Sequence, residues 1–462
     1  MQRLLAIIWL TWKAAFRFRL FLVIAVLLLA AVVGLPLLLQ DDGTARGFTQ
    51  ILLTYTLSAI TALLGFSTLW LSCGTLARDI EECQIQVVAT KPIARWQIWL
   101  GKWLGIVSLN AVLLALSGAS VCGLLQWRAN KLSEAEQKIL HTEVLVARGV
   151  ANTSNYKAEI DAQTDRMLEE RLKQTPVSNV DLPEVRRQIR ELVKANYQLV
   201  PPSYTRRWQI DLGFAKNFLH NQPLQLRVKF NSAEWSASGS TFVGLWQVSV
   251  PGTTKFWRSS PMSLSTDTYH EFEIPPDLFD SKGVLTIDFF NANNTSLLFP
   301  IEDGIEVLYP EGGFTLNFAR GLAIIFCWMA LLTTIGLASA SFLSFPVATF
   351  FSLAMLVVVF SSGTLADAVA NGTVMGVNEE TGTVGHFIAD MVLIPLFKGI
   401  LAVVNVVKNF SPIDSLSTGR AITWSELGAA FGQIVLLFGG IIGLAGMILF
   451  SRRELATAQG NQ

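Results

Sequence analysis

The stretch LFLVIAVLLLAAVVGLPLLL, residues 20–39, decides the fold class because it runs for 20 residues without a charge. About 20 mostly apolar residues in a helix are enough to cross the hydrocarbon core of a bilayer. Five more stretches share this character: residues 51–77, 104–127, 322–343, 347–366 and 427–450. The sequence therefore predicts a polytopic α-helical membrane protein with six transmembrane helices.

Charged residues are concentrated in one segment of the 462-residue chain, which is 51% hydrophobic and only 15% charged overall. Between Arg128 and Gly312 lie 20 of the 35 basic and 23 of the 35 acidic residues. This distribution excludes a soluble enzyme, a secreted domain and a disordered tail. The balanced charge gives no indication of nucleic acid as a partner. We interpret the segment as a large water-soluble α+β insert in a membrane protein.

The insert has two predicted parts. Residues 128–203 are rich in Glu, Lys, Arg, Gln and Ala, with apolar positions at helical spacing, and predict two or three helices. Residues 204–314 alternate apolar and polar residues between turn signals, which predicts an antiparallel β-sandwich of jelly-roll-like form. The predicted strands are Trp208–Leu212, Leu224–Phe230, Val243–Val250, His270–Ile274, Val284–Phe290 and Ile305–Tyr309. Trp235, Trp246 and Trp257 either line a sugar site or belong to the core, and core is the commoner role of such residues.

Basic residues predict the topology. Ten flank the spans on the side where six crossings place both termini: Arg3, Lys13, Arg17, Arg19, Arg78, Lys91, Arg95, Lys102, Arg452 and Arg453. Fewer flank the other side, and over longer stretches. By the positive-inside rule both termini are cytoplasmic and residues 128–314 extracytoplasmic. The predicted location is the inner (cytoplasmic) membrane of a bacterium.

Two segments are predicted to lie in the membrane interface. Residues 1–19 combine an apolar helical face with basic residues, although they could also lengthen the first span. Residues 386–410 are apolar but interrupted by Asp390, Pro395 and two lysines, which favours an external interfacial helix over a seventh crossing.

Residues 78–102, RDIEECQIQVVATKPIARWQIWLGK, form the predicted cytoplasmic loop between spans two and three. Pro92 ends any preceding helix near Thr90. A second helix then starts near Ala94 and continues into the third span. Such an element, displayed to the cytoplasm and attached to two spans, can transmit force from a docked partner.

This loop resembles that of the permease subunits of ABC-2-type ABC transporters. The resemblance is carried by the acidic residues, the apolar stretch, Lys91-Pro92-Ile93, Arg95 and Gly101-Lys102. The turn at 341–346, the segment 409–426 and the ending at 450–455 are also similar to the family. The resemblance implies that residues 78–102 couple to a separate nucleotide-binding subunit. The implied coupling residues are Glu81, Glu82, Lys91, Pro92, Arg95, Gly101 and Lys102.

The resemblance also implies partners and cofactors. No GxxxxGK[ST] motif and no catalytic motif occurs in the sequence, so we expect no enzymatic activity, cofactor or metal in this chain. ATP and Mg would be bound by a cytoplasmic P-loop ATPase subunit, and the permease would pair with a second copy or a paralogous chain. Membrane lipid and a periplasmic or cell-envelope molecule are the other expected partners.

Alternatives remain for the loop residues and for the whole chain. Arg78, Lys91 and Arg95 could anchor to lipid headgroups, and for Lys102 anchoring is the preferred interpretation. Gly101 could serve close helix packing. The chain as a whole could be a non-transporting anchor or receptor whose external sandwich binds an envelope ligand.

Overall fold

The computed structural model describes residues 2–17, 19–38, 44–82, 84, 93–140, 144–153, 156–174, 182–233, 241–301, 303–374, 389–408 and 410–453. The chain divides into two compact units. We call Met1–Ala147 with Gly312–Gln462 the helical unit, and Arg148–Glu311 the sheet unit.

Helices of the described residues are numbered in chain order. They are α1 (Gln2–Arg17), α2 (Arg19–Leu38), α3 (Ala45–Glu81), α4 (Arg95–Ala129), α5 (Glu134–Ile139), α6 (Tyr156–Gln174), α7 (Leu182–Gln198), α8 (Phe314–Ala340), α9 (Phe345–Phe360), α10 (Ser362–Asn371), α11 (Asp390–Lys408), α12 (Pro412–Ser417) and α13 (Trp424–Arg452). Within α13, residues Phe431–Gly439 form a π-helix.

Four helices, α3, α4, α8 and α13, are long and apolar enough to cross a membrane. They contain the predicted second, third and sixth spans and most of the fourth, which extends past the end of α8 at Ala340. Their length and composition indicate a membrane protein. The other two predicted spans correspond to α2 and α9, whose described apolar portions are the shorter stretches Val23–Leu35 and Phe345–Val359.

The predicted fifth span, residues 347–366, is not one continuous helix. The chain leaves the α-helical conformation at Ser361, where ψ is 8°, and α10 begins after it. The run Ser361-Ser362-Gly363 explains the break, because serine side chains compete for backbone groups and glycine lacks helix propensity. At 1.5 Å per residue α9 is about 24 Å long, less than the hydrocarbon thickness of about 30 Å.

The centre of the helical unit is the packing of α3 against α8. Small residues allow a close approach, since a Cβ on Gly336 would lie 2.2 Å from Ser72 Oγ. Buried hydroxyls donate to carbonyls one turn earlier, as Thr68 does to Leu64 O at 2.6 Å and Thr333 to Met329 O at 2.8 Å. These hydroxyls are thereby satisfied within their own helices.

Strands of the sheet unit form three sheets. The strands are β1 (Val146–Asn152), β2 (Leu199–Val200), β3 (Thr205–Asp211), β4 (Leu224–Val228), β5 (Asn231–Ser232), β6 (Thr241–Ser249), β7 (Phe256–Arg258), β8 (Met262–Ser265), β9 (His270–Ile274), β10 (Val284–Asn291), β11 (Leu297–Leu298) and β12 (Ile305–Gly313). The sheet orders are β1-β12-β4-β9, then β3-β10-β6-β7 with β8 also on β6, and a small β2-β11-β5. All six predicted strands are present.

The two larger sheets share one core. Trp208 of β3, Leu226 of β4, Trp246 of β6 and Ile287 of β10 are buried in it. The antiparallel registers Ile287↔Trp208 and Ile287↔Val248 align the inward residues of the second sheet. The prediction of an antiparallel sandwich-like region is therefore confirmed at the level of strands and core.

Of the three tryptophans considered for a sugar site, the two that the structure describes are not grouped on a surface. Trp246 is fully buried, with its ring centroid 4.5 Å from that of Phe289. Trp257 is partly buried and stacks on Phe272 at 6.1 Å. Trp235 lies outside the described residues. The core interpretation is confirmed for Trp246.

The predicted helical segment 128–203 contains α5, α6 and α7, but it also contains β1. Residues 140–147 have helical apolar spacing, yet Val146–Asn152 is a strand beside β12. A Cβ on Gly149 would lie 2.2 Å from Tyr309 Cε2, so this pairing brings β1 tightly against a distant part of the chain. The helix prediction was wrong here because long-range pairing overrides local spacing.

The outer side of the first sheet carries a buried ion row, which we define as Arg148, Arg227, Glu271 and Glu306. The neighbours of Arg227 along β4 are core residues. Because successive side chains of a strand point to opposite faces, the Arg227 side chain lies on the face away from the core. Glu271 accepts from both arginines at 2.7 Å, and Arg227 Nη1 lies 3.6 Å from Glu306 Oε2. All four side chains are at most 9% exposed. The row is charge-balanced, as buried ions require.

Candidate functional site

The end of α3 is bonded to the start of α9. Glu81 Oε1 accepts a hydrogen bond from the backbone N of Phe345 at 2.8 Å, and the Arg78 guanidinium lies 4.3 Å from the centre of the Phe345 ring. The first N–H groups of a helix have no partner within it, and a carboxylate there is stabilised by the helix dipole. Glu81 is therefore a helix cap supplied by a neighbouring helix.

Lys102 joins α4 to α3. Its Nζ lies 2.5 Å from Asp79 Oδ2 and donates to Thr75 O at 2.6 Å. The residue is only 7% exposed. The headgroup-anchoring interpretation preferred for Lys102 is wrong, because an ammonium buried against α3 does not reach lipid.

Two arginines bind the carboxyl ends of helices. Arg95, the first residue of α4, donates through Nη1 to Ser451 O at 2.7 Å and Arg453 O at 2.8 Å, at the end of α13. Arg453 Nη1 in turn lies 3.2 Å from Ser341 O and 3.5 Å from Ala340 O, at the end of α8. Both arginines satisfy carbonyls that lack partners within their helices.

Tryptophans reinforce this arrangement. Trp99 Nε1 donates to Ser341 Oγ at 3.3 Å, and Trp103 Nε1 donates to Thr334 Oγ1 at 2.8 Å. A Cβ on Gly446 of α13 would lie 2.9 Å from Ala338 and 3.5 Å from the Trp99 ring. The start of α4 is thereby packed against both α8 and α13.

Gly101 and Gly105 form the contact surface for α1. A Cβ on Gly101 would lie 2.7 Å from Ile7 Cγ2, and one on Gly105 would lie 2.7 Å from Thr11 Cβ. The two glycines are four residues apart, the spacing that lets helix backbones approach closely. The packing role considered for Gly101 is confirmed.

We call Asp79, Glu81, Arg95, Lys102 and Arg453 the helix-end cluster. Through it, the ends of α3, α4, α8, α9 and α13 are connected by side-chain bonds. Three of the predicted coupling residues belong to it, and Gly101 lies beside it. A displacement of either end of the 78–102 loop would reach all five helices through these bonds.

Other predicted coupling residues differ in position. Glu82 is exposed and accepts a hydrogen bond from Gln84 Nε2 at 2.5 Å. Lys91 and Pro92 lie outside the described residues. Near Arg95, Trp96 is 51% exposed. Among the described residues of the site, Glu82 and Trp96 are exposed, while Glu81, which is also exposed, and the half-buried Arg95 hold helix ends.

The sequence interpretation missed Asp79 and Arg453 as members of the helix-end cluster. The available signal was their position, because each is a charge directly beside a long apolar stretch. Such charges need a partner or water, and the partner can be the end of another helix.

Metal binding has no geometric support within the described ranges, since no three His, Cys, Asp or Glu side chains there are placed to hold an ion. No protein-family model matches the chain, and neither a curated protein nor a solved structure is significantly similar to it.

Proposed function

We propose that the chain is the transmembrane permease subunit of an ABC-2-type transporter, acting in export. A separate cytoplasmic P-loop ATPase would bind ATP and Mg and dock on residues 78–102. The observation that carries the proposal is the helix-end cluster, in which both ends of this short loop are bonded to the ends of other helices. A loop mounted in this way is suited to pass motion from a docked ATPase into the membrane.

The proposed division of labour follows from exposure together with bonding, because the exposed Glu81 is bonded to the start of α9. Glu82 and Trp96 would contact the ATPase, whereas Glu81, Arg95 and Lys102 would carry its movement to α9, α13 and α3. Closure of the ATPase on ATP would displace the loop, and the helices bonded to it would rock to move substrate.

The proposed topology has six crossings, with α2 as the first span and α9 continued by the start of α10 as the fifth. Both termini would be cytoplasmic and residues 128–314 extracytoplasmic, in a bacterial inner membrane. The 20-residue length of α2 and the positive-inside bias support this arrangement.

A second membrane subunit is also proposed, either another copy or a paralogous chain. The apolar window of α13 is only 22% buried, against 61% for α8. An apolar helix face so open within one chain is suited to lipid or to a partner helix.

The sheet unit is proposed to be a jelly roll. Counting the main strands in chain order, with β7 and β8 taken as one interrupted strand, gives the orders 1-8-3-6 and 2-7-4-5. This order corresponds to two interlocked Greek keys, which supports the assignment.

The direct test is co-expression of this chain with a candidate cytoplasmic P-loop ATPase, followed by co-purification and an ATPase assay of the pair. We expect Trp96→Ala to weaken association by about tenfold or more, the effect typical of an exposed aromatic anchor. Trp127→Ala is the matched control, because Trp127 is 48% exposed at the opposite end of the same helix. Equal behaviour of the two variants would contradict docking at this loop.

Topology is tested by cysteine labelling in a chain whose four native cysteines are replaced by serine. An impermeant maleimide should label Asp165→Cys in intact spheroplasts and Glu82→Cys only after permeabilisation. Labelling of Glu82→Cys from outside would overturn the coupling role of the loop.

The alternative function is a non-transporting receptor or anchor. The observation that favours it is the sheet unit, which has its own core and is large enough to bind an envelope ligand. If no ATPase associates and reversal of charge at Glu82 has no effect, the receptor is the better conclusion.

A further inference from the structure

We propose that α1 binds an anionic phospholipid in a groove on the side facing away from α4. The groove has a volume of about 350 Å³, and the described side chains that line it are Trp9, Trp12, Lys13, Phe16 and Arg17. The proposed topology is needed only to assign the groove to the cytoplasmic leaflet of the membrane.

The position of the groove follows from how α1 is held. Ile7, Thr11 and Ala15 are buried, and the first two pack on the glycines of α4. The lining residues lie on the opposite side of the helix, where Trp9 is 61% exposed. α1 is therefore fixed by one face while it presents aromatic rings with the other.

The walls of the groove are ordered by specific contacts. Trp12 Nε1 donates to Ser108 Oγ of α4 at 3.0 Å, which fixes the indole at the edge of the groove. Lys13 Nζ lies 5.7 Å from the Trp9 ring centre, a cation–π distance that holds the ammonium beside the aromatic wall. The ligand would meet a largely preformed surface.

Charge selects the ligand. Lys13 and Arg17 lie four residues apart on one side of α1, and the chain has no acidic residue before Asp41. Basic groups on an amphipathic helix attract anionic headgroups, while aromatic rings accept the upper acyl chain. An anionic phospholipid supplies both parts, and a zwitterionic lipid lacks the net charge.

A second copy of this chain fits the groove less well. Two copies related by symmetry would bring Lys13 and Arg17 of one chain toward the same residues of the other, and like charges repel. The groove therefore favours lipid over self-association.

The test measures lipid retained by the full-length chain. The protein is incorporated into vesicles of equal phosphatidylglycerol and phosphatidylcholine, extracted in mild detergent and analysed for bound lipid by mass spectrometry. We expect preferential retention of phosphatidylglycerol, and about a thirtyfold weaker preference in the Lys13→Ala/Arg17→Ala variant, since each basic residue near an anionic surface contributes about fivefold.

A charge-matched control is Arg3→Ala/Arg452→Ala, which removes two exposed basic residues away from the groove. It should retain phosphatidylglycerol as the native chain does. An equal loss of phosphatidylglycerol from both variants would show general electrostatic attraction without a binding site, and it would overturn the proposal. Equal retention of the two lipids by the native chain would also overturn it, as would a variant that changes the mass of the oligomer but not the amount of bound lipid.

A further variant distinguishes loss of lipid binding from loss of folding, and the assay itself is independent of the permease proposal. Trp9→Ala keeps both charges, and it should lower retention of phosphatidylglycerol with an unchanged unfolding temperature; unchanged retention would contradict the aromatic wall. The measurement needs no ATPase, so failure of the permease proposal would leave the lipid result standing.

Discussion

The helical unit and the sheet unit hold their charged side chains in different ways. In the helical unit, Glu81, Arg95 and Arg453 bond to backbone groups at the ends of neighbouring helices. In the sheet unit, the charges of the ion row bond mainly to one another. The difference comes from the backbone, because helix ends leave unpaired N–H and C=O groups whereas strands pair theirs in the ladder.

The two arrangements respond differently to motion. A bond from a side chain to the end of another helix changes when either helix shifts, so the helix-end cluster is sensitive to displacement. The ion row lies across strands already held by ladder hydrogen bonds. We therefore expect the helical unit to move more readily than the sheet unit.

The largest effect is expected in the ion row. Glu271→Leu leaves Arg148 and Arg227 without their shared carboxylate, and removing one member of a buried ion pair costs about 3–5 kcal/mol. Hydrogen exchange of the full-length protein, followed in β4 and β9, measures the loss.

The control for this prediction is an exposed pair in the same unit. Arg186 and Asp165 are 2.8 Å apart but 56% and 54% exposed, so Arg186→Ala should cost only about 0–1 kcal/mol. If Glu271→Leu were equally mild, the sheet unit would not depend on its buried charges.

A smaller loss is expected for Lys102→Met in the helical unit. The substitution removes a charged hydrogen bond to Thr75 O and the pair with Asp79, at a cost of about 1.5–3 kcal/mol. Exchange should increase at the facing ends of α3 and α4. Lys102→Arg keeps the charge and should retain part of the protection against exchange. If it does not, the contribution of Lys102 depends on the shape of its side chain and not on its charge.

The third effect, comparable to or smaller than that of Lys102→Met, is expected where α1 packs closely on α4. Gly105→Ala places a methyl group against Thr11 and should cost about 1–3 kcal/mol by overpacking, seen as faster exchange in α1. Gly123→Ala in the same helix meets nothing within 4 Å and should be neutral or slightly stabilising. Equal effects would indicate that α1 does not depend on this contact.

The smallest effect is expected for Arg95→Met. The carbonyls at the end of α13 lose a cationic partner, which is worth about 0.3–1 kcal/mol when water can replace it. If the cluster transmits motion, ATPase stimulation by the chain should fall more than this stability loss explains. Proportional losses would make Arg95 a purely structural residue.

Local sequence patterns predicted most of the elements. Uninterrupted apolar runs identified α3, α4, α8 and α13, and alternation at period two identified six strands. One missed element, β1, depended on a distant partner. β1 pairs with β12 about 150 residues later, and no local pattern carries that information.

The site was predicted by residue type but not by bonding. The family resemblance named Glu81, Arg95 and Lys102, and all three lie in the helix-end cluster. Their partners could not be predicted, because Phe345 and Ser451 are 264 and 356 residues away from the side chains that bond to them. Which helix end meets which charge is decided only by the packing of the bundle.

The Asp79–Lys102 bond has a consequence for the continuity of the chain. Because α3 and α4 are joined by this pair and are each bonded to other helices, a proteolytic nick between residues 84 and 93 would leave both helix ends in place. The polypeptide could then be produced as two fragments that reassemble in the membrane, divided at the very loop proposed to receive the ATPase.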